Sequence, residues 1–253
     1  MYTTRIPAMT ATSTFEDVIS QYRLANEPER FEEVFKQLKI TSYLQLWQTY
    51  CPREESHYHG TAHTQQVVLN AYEGSAWAQL SHRETKALVV AALFHDAMHD
   101  PSFRYDASNI SNAKAKLKAL HREAPDHERL SDEQLAIALL AIDTTKYPYD
   151  AGRVMEVTSQ VLRDADHMAV YLENDEAYLQ LMLGLFKEAR YKNYLLTGRE
   201  FLQSQQKYYS SREWASRWGQ LKAFKLNYPL QAKAKMSLLT RINTNLFDPI
   251  SPA

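Results

Sequence analysis

SHRETKALVVAALFHDAMHDP, Ser81 to Pro101, is the stretch whose reading decides the fold. Ser81 and Glu84 have capping-box spacing, in which each side chain satisfies a backbone N–H at a helix start. Ala87 to Leu93 is unbroken apolar sequence, which reads as a buried helix. Leu88, Ala92, His95 and His99 then fall on one stripe, so ionisable side chains continue the buried face. A buried His–Asp pair costs free energy unless a partner satisfies it. His95-Asp96 therefore asks for one.

Outward from this segment the chain keeps the same character. Its 253 residues hold only six glycines and nine prolines, and the prolines bound long segments without either residue. That pattern suits helices and not tight-turned sheets. Phe15, Val18, Ile19 and Tyr22 recur at helical spacing, with Ser13 and Glu16 as a capping box. Phe31, Val34, Phe35 and Leu38 repeat the spacing after Pro28. Ser131 and Gln134 cap a helix carrying Leu135, Ala138, Leu139 and Ile142. Further helices are expected near 60–78, 109–121, 151–172, 175–195, 199–208, 211–224 and 230–243. No alternating strand or Asn-Gly hairpin signal interrupts them. The fold class is all-α, a single-domain helical bundle of about ten helices over 12–245.

Bulk properties narrow the function classes. Net charge is −1 and the isoelectric point is about 6.8. That gives no basic field, so broad nucleic-acid binding is not expected. The lone cysteine, Cys51, excludes an intrachain disulfide and suits a reducing compartment. The first residues lack the apolar core of a signal peptide, and no run has membrane-spanning length. A soluble cytoplasmic protein is the expectation.

Two other places break the apolar pattern as Ser81–Pro101 does. In HYHGTAH, His59 and His63 share a helical face if the helix starts near His59, and Val67 puts His63 on the inward side. In VLRDADHMAVY, Val157, Val161, Leu162, Ala165, Met168 and Ala169 form an apolar face, and Asp166 follows Leu162 by one turn. His63, His95, Asp96 and Asp166 thus point inward from three helices. A divalent metal is the economical common partner, and this N/O donor set suits Mn, Fe, Co, Ni, Zn or Mg.

The order His63, His95-Asp96, Asp166 resembles the HD superfamily of metal-dependent phosphohydrolases, nearest to its uncharacterised bacterial members. Trp47-x-x-Tyr50 with Tyr58-His59-x-x-x-His63, Phe94-His95-Asp96-x-x-His99-Asp100-Pro101 and Asp164-x-Asp166 carry the likeness, which covers about residues 44–170. The spacings of the first two also look like those of cyclic nucleotide phosphodiesterases. The resemblance implies hydrolysis of a phosphate ester, such as a nucleotide or cyclic nucleotide, by metal-bound hydroxide. It implies His63, His95, Asp96 and Asp166 as metal ligands, with Asp96 able to bridge a second ion, and His59 as general acid. His99 matches a histidine that contacts phosphate or supports a ligand and is the second candidate catalytic residue, and Asp164 a residue orienting a ligand histidine. Lys146 and Arg163 are candidate phosphate contacts, and Tyr147, Tyr149, Tyr208 and Tyr209 are among the tyrosines able to stack a base. A homodimer is left open.

This sequence departs from the family at three points. Ser56 and His57 stand where an Arg is common, Thr144-Thr145-Lys146-Tyr147 supplies no His, and His167 replaces Leu. A di-iron oxygenase of this fold would need more histidines than His121, His127 and His167 offer downstream of His99. A metal-retaining ligand sensor is the other alternative.

Overall fold

The computed structural model describes residues 28–51, 58–103, 105–149, 153–172, 175–210 and 212–241. The helix expected at Phe15–Tyr22 lies outside them, as does His57. Among the described residues there are eleven helices and no strand. They are α1 (Pro28–Leu38), α2 (Thr41–Tyr50), α3 (Thr61–Trp77), α4 (His82–Phe94), α5 (Asp106–His121) and α6 (Asp132–Asp143). After these come α7 (Val157–Leu172), α8 (Asp175–Lys192), α9 (Gly198–Ser210), α10 (Arg217–Lys225) and α11 (Tyr228–Arg241). No described helix is long and apolar enough to cross a membrane.

Local chemistry explains most of the boundaries. Ser81 and Glu84 form the expected capping box at α4, and Ser131 and Gln134 form one at α6. With few glycines available, helix ends use other residues in the left-handed region: Lys39 (φ 54°), Gln79 (φ 51°) and Asn227 (φ 48°). At Gln79, Leu80 N donates to Ser75 O and Gln79 N to Ala76 O, which closes the last turn of α3.

Three places differ from expectation, one of them the helix expected from 151, where α7 begins only at Val157. Helix α2 was not foreseen because Ile40 at its N-cap makes no side-chain capping bond. Its cap comes from a distant loop: the Glu128 carboxylate accepts from Ser42 N at 2.6 Å and from Thr41 Oγ1 at 2.9 Å. Helix α10 begins at Arg217 instead of 211, because Ala215 and Ser216 give their N–H groups to Asp164.

Helices α3, α4, α6 and α7 pack together as the centre, with α4 against α3, α6 and α7. Leu88, Val89, Val90, Ala91, Ala92, Leu93 and Phe94 are all fully buried, so α4 is the core helix its sequence implies. Gly74 permits the close approach of α3 to α7, since a Cβ there would lie 2.5 Å from Val161 Cγ1. Helices α8 to α11 add two smaller apolar clusters, one around Tyr178, Met182 and Phe201, the other around Met168, Tyr209 and Tyr228. A buried ion pair joins α10 to α3: Lys222 Nζ lies 2.8 Å from Glu73 Oε2 and 3.1 Å from Asn70 Oδ1, and Trp218 Nε1 donates to Glu73 Oε1.

Candidate metal centre

Helix α4 ends at Phe94, and the chain then turns instead of continuing. Ala97 N bonds Phe94 O, His99 N bonds Asp96 O, and Met98 takes φ 63°. These turns wrap His95, Asp96 and His99 around the C-terminal end of α4. The carbonyl end of a helix favours positive charge beside it. His63 comes from the first turn of α3 and Asp166 from the inward face of α7.

Four donor atoms meet there. His63 Nε2 lies 3.2 Å from Asp166 Oδ1, 3.3 Å from Asp96 Oδ2 and 3.3 Å from His95 Nε2. His95 Nε2 lies 2.9 Å from Asp96 Oδ2 and 3.7 Å from Asp166 Oδ1. Donors sharing one ion at about 2.1 Å stand roughly 3.0–3.4 Å apart, so these spacings fit a metal. His95 Nδ1 donates to Ala92 O at 2.7 Å, which leaves Nε2 as the lone-pair atom facing the cluster. Asp96 Oδ2 is buried with no hydrogen-bond donor, a further sign that the set suits a cation. Burial pushes the His63 imidazole down, but the Asp166 and Asp96 carboxylates outweigh it and push it up to about 10, so the cluster favours positive charge, which a proton supplies where no cation does. Burial likewise opposes ionised Asp96, yet His95 and His59 hold its carboxyl well below the usual range.

A second group, His59, Asp96 and His99, adjoins His63, His95 and Asp166, and Asp96 links the two through its Oδ2 beside His63 and His95. The His59 and His99 rings stack at 3.8 Å and 15°. His59 precedes α3 and is not on a helix, so the shared-face expectation for His59 and His63 does not apply. Its position comes from Glu188 of α8, which accepts from His59 Nδ1 at 2.6 Å and from Tyr58 N at 2.6 Å. Asn109 fixes His99: its Oδ1 accepts from Asp100 N, so its Nδ2 donates to His99 Nε2 at 3.4 Å. The proton of neutral His99 is thereby assigned to Nδ1, which lies 3.8 Å from Asp96 Oδ1.

The other expected residues are not brought to the cluster. Asp164 does not orient a ligand histidine. Its oxygens accept from Ala215 N, Ser216 N and Ser216 Oγ at 2.6–2.9 Å, and it is fully buried. Burial raises its pKa despite those bonds. Lys146 is exposed and outside the cavity wall. Arg163 instead lies over the Tyr149 ring, 3.8 Å from its centroid. Met168 and Val161 are buried as the α7 face implies.

The cluster opens into a cavity of about 420 Å³. Tyr58, Tyr147, Tyr149, Tyr208 and Tyr209 line it, with Lys192 and Asp106. Tyr191 and Tyr194 are exposed elsewhere. Glu188 and Lys192 were missed from sequence. A signal existed: Tyr178, Met182, Leu185, Glu188 and Lys192 form one stripe of α8, and Glu188 is 3% exposed. His167, the departure noted in the sequence, bonds Tyr149 OH through Nε2 and Tyr208 OH through Nδ1. Comparison with known proteins gives no match to a family model, a curated protein or a solved structure.

Proposed function

We propose that the chain is a metal-dependent phosphohydrolase of the HD type, acting on a small phosphate ester such as a nucleotide or cyclic nucleotide. The observation that carries the reading is the convergence of His63 Nε2, His95 Nε2, Asp96 Oδ2 and Asp166 Oδ1 beside a cavity with two histidines of opposite character. Those four groups would hold a divalent ion, with Mn, Fe, Co, Ni, Zn and Mg all suited to the donors. When bound, such an ion supplies Lewis acidity to phosphoryl oxygens and acidifies water.

The chain's own residues divide the proton work. Burial disfavours protonated His59, but Asp96 and Glu188 outweigh it and raise its pKa. That biases His59 toward its protonated form, with Nδ1–H fixed on Glu188 and Nε2–H left to protonate a departing oxygen. Burial and the neighbouring His59 push His99 down to about 3, so it stays neutral. It presents Nδ1–H beside Asp96, placed to steady that carboxylate or a phosphoryl oxygen. Environments that drive two adjacent groups apart in this way assign acid and spectator roles. Lys192 is the lysine of the cavity wall and the contact for phosphate charge. The lone cysteine supports a cytoplasmic setting.

The test is phosphate release by the full chain with Mn2+, over a panel of phosphomonoesters and cyclic nucleotides, beside Asp96→Ala. Release by wild type and none by the variant is expected. Wild type that takes up Mn2+ yet cleaves no member of the panel refutes the reading in favour of a sensor. Two tightly bound ions per chain would favour His59 and His99 as ligands instead of proton carriers.

A further inference from the structure

The wall beside Asp166 has a construction that phosphate hydrolysis does not require. Three rings from three elements meet there: Tyr149 of the loop after α6, His167 of α7 and Tyr208 of α9. Both nitrogens of His167 are engaged by the two phenols, so neither is left for an ion or a substrate. The imidazole thereby ties the two phenols together. Tyr147 adds a fourth ring, edge-on to Tyr149 at 5.5 Å and to Tyr208 at 5.8 Å.

Two guanidiniums back this wall without lining the cavity. Arg163 lies 3.8 Å over Tyr149, and Arg212 lies 5.5 Å over Tyr208 while donating to its hydroxyl at 3.2 Å. A cation held against a ring is attracted by its π quadrupole, so the two guanidiniums help to fix the rings in place. Fixed rings lining a cavity pair well with another planar aromatic group, offset-stacked or edge-on. Apolar Ile110, Met182 and Leu185 complete the cavity. Its volume of about 420 Å³ has room for a phosphate and one ring system, within the usual range for small-ligand sites.

We propose that the clamped ring wall is a specificity subsite that takes a planar aromatic group on the leaving side of the phosphate. The substrate class is accordingly a phosphate ester of an alcohol that carries a planar aromatic ring, and this rests on the phosphoester reading above. His167, Tyr149 and Tyr208 are the specificity-determining residues.

Calorimetric titration of the full chain with phenylphosphonate and cyclohexylphosphonate tests it, with and without Mn2+. The probes share charge and ring size and differ in planarity. Phenylphosphonate is expected to bind about fivefold tighter, the scale of an aromatic pairing preference. Tyr208→Leu should bring the ratio near one, and Tyr208→Phe should keep most of it. If Tyr208→Leu does not fold, Tyr149→Leu and the wild-type ratio decide. A wild-type ratio near one, or no measurable binding of either probe, overturns the subsite. Affinities that ignore Mn2+ while the phenyl preference persists would instead fault the metal reading and uphold the subsite.

Discussion

Replacing Asp164 separates a fold-holding role from a metal-orienting one. The side chain is fully buried and accepts three hydrogen bonds, from Ala215 N, Ser216 N and Ser216 Oγ. Ser216 Oγ in turn accepts from Gly219 N at 2.9 Å and caps α10. Asp164→Ala leaves two backbone N–H groups without their acceptor. Each bond to a charged group contributes about 1.5–3 kcal/mol, and relief of the buried charge offsets part of that loss. Burial already raises the pKa of this carboxyl, so the charge itself is a burden to the fold. The net cost is set at about 3 kcal/mol for Ala. Asp164→Asn keeps a carbonyl acceptor and sheds the charge, so it should cost less, about 1–2 kcal/mol. For a chain of this size the Ala variant should melt about 6–12 °C lower. Metal affinity, read by Mn2+ titration of folded protein, should stay within about threefold of wild type. A variant with unchanged melting and tenfold weaker Mn2+ binding would refute the capping role and restore Asp164 to the metal centre.

Three other outcomes follow from the geometry. Glu188→Gln should keep Mn2+ stoichiometry but lower kcat about tenfold to a hundredfold, because His59 loses the carboxylate that positions and charges it. Since Glu188 raises the His59 pKa, its loss should also move the alkaline limb of the kcat/KM profile to lower pH; an unmoved limb would show that another group carries the proton. Dialysis against EDTA should lower the melting temperature, and Mn2+ at a hundred times its Kd should restore about 2.7 kcal/mol in urea unfolding; unchanged midpoints would mean the four donors hold no ion. Gln79→Gly should stabilise by about 0.5–1 kcal/mol in the same assay, since Gln79 ends α3 at φ 51° without a glycine's freedom.

What could be read from sequence was whatever neighbours in the chain determine. Ser81 with Glu84 and Ser131 with Gln134 form their capping boxes within four residues, so α4 and α6 were visible. The cap of α2 comes from Glu128, more than eighty residues away, and carries no local mark. The start of α10 is set by Asp164 across fifty residues, which periodicity cannot register. The same division holds at the site. His63, His95, Asp96 and Asp166 interrupt apolar faces and could be singled out, and the fold brings their donor atoms together. Glu188 sits among the many acidic residues of amphipathic helices, and only its place on the Tyr178 stripe distinguishes it. Lys146 and Arg163 stand out in the sequence by charge alone, and neither lines the cavity.

Asp164 and Asp166 stand two residues apart on α7 and face different tasks. One grips the segment leading into α10, and the other reaches His63 and His95. The helix therefore acts as a lever with a very short arm. A push on Asp164 from the segment before α10 would tend to turn α7 and carry Asp166 with it, whereas removing the contact exerts no such push. Gly219 is the tightest case: a Cβ at that position would fall 2.2 Å from Asp164 Oδ2, so the smallest enlargement there pushes directly on the lever.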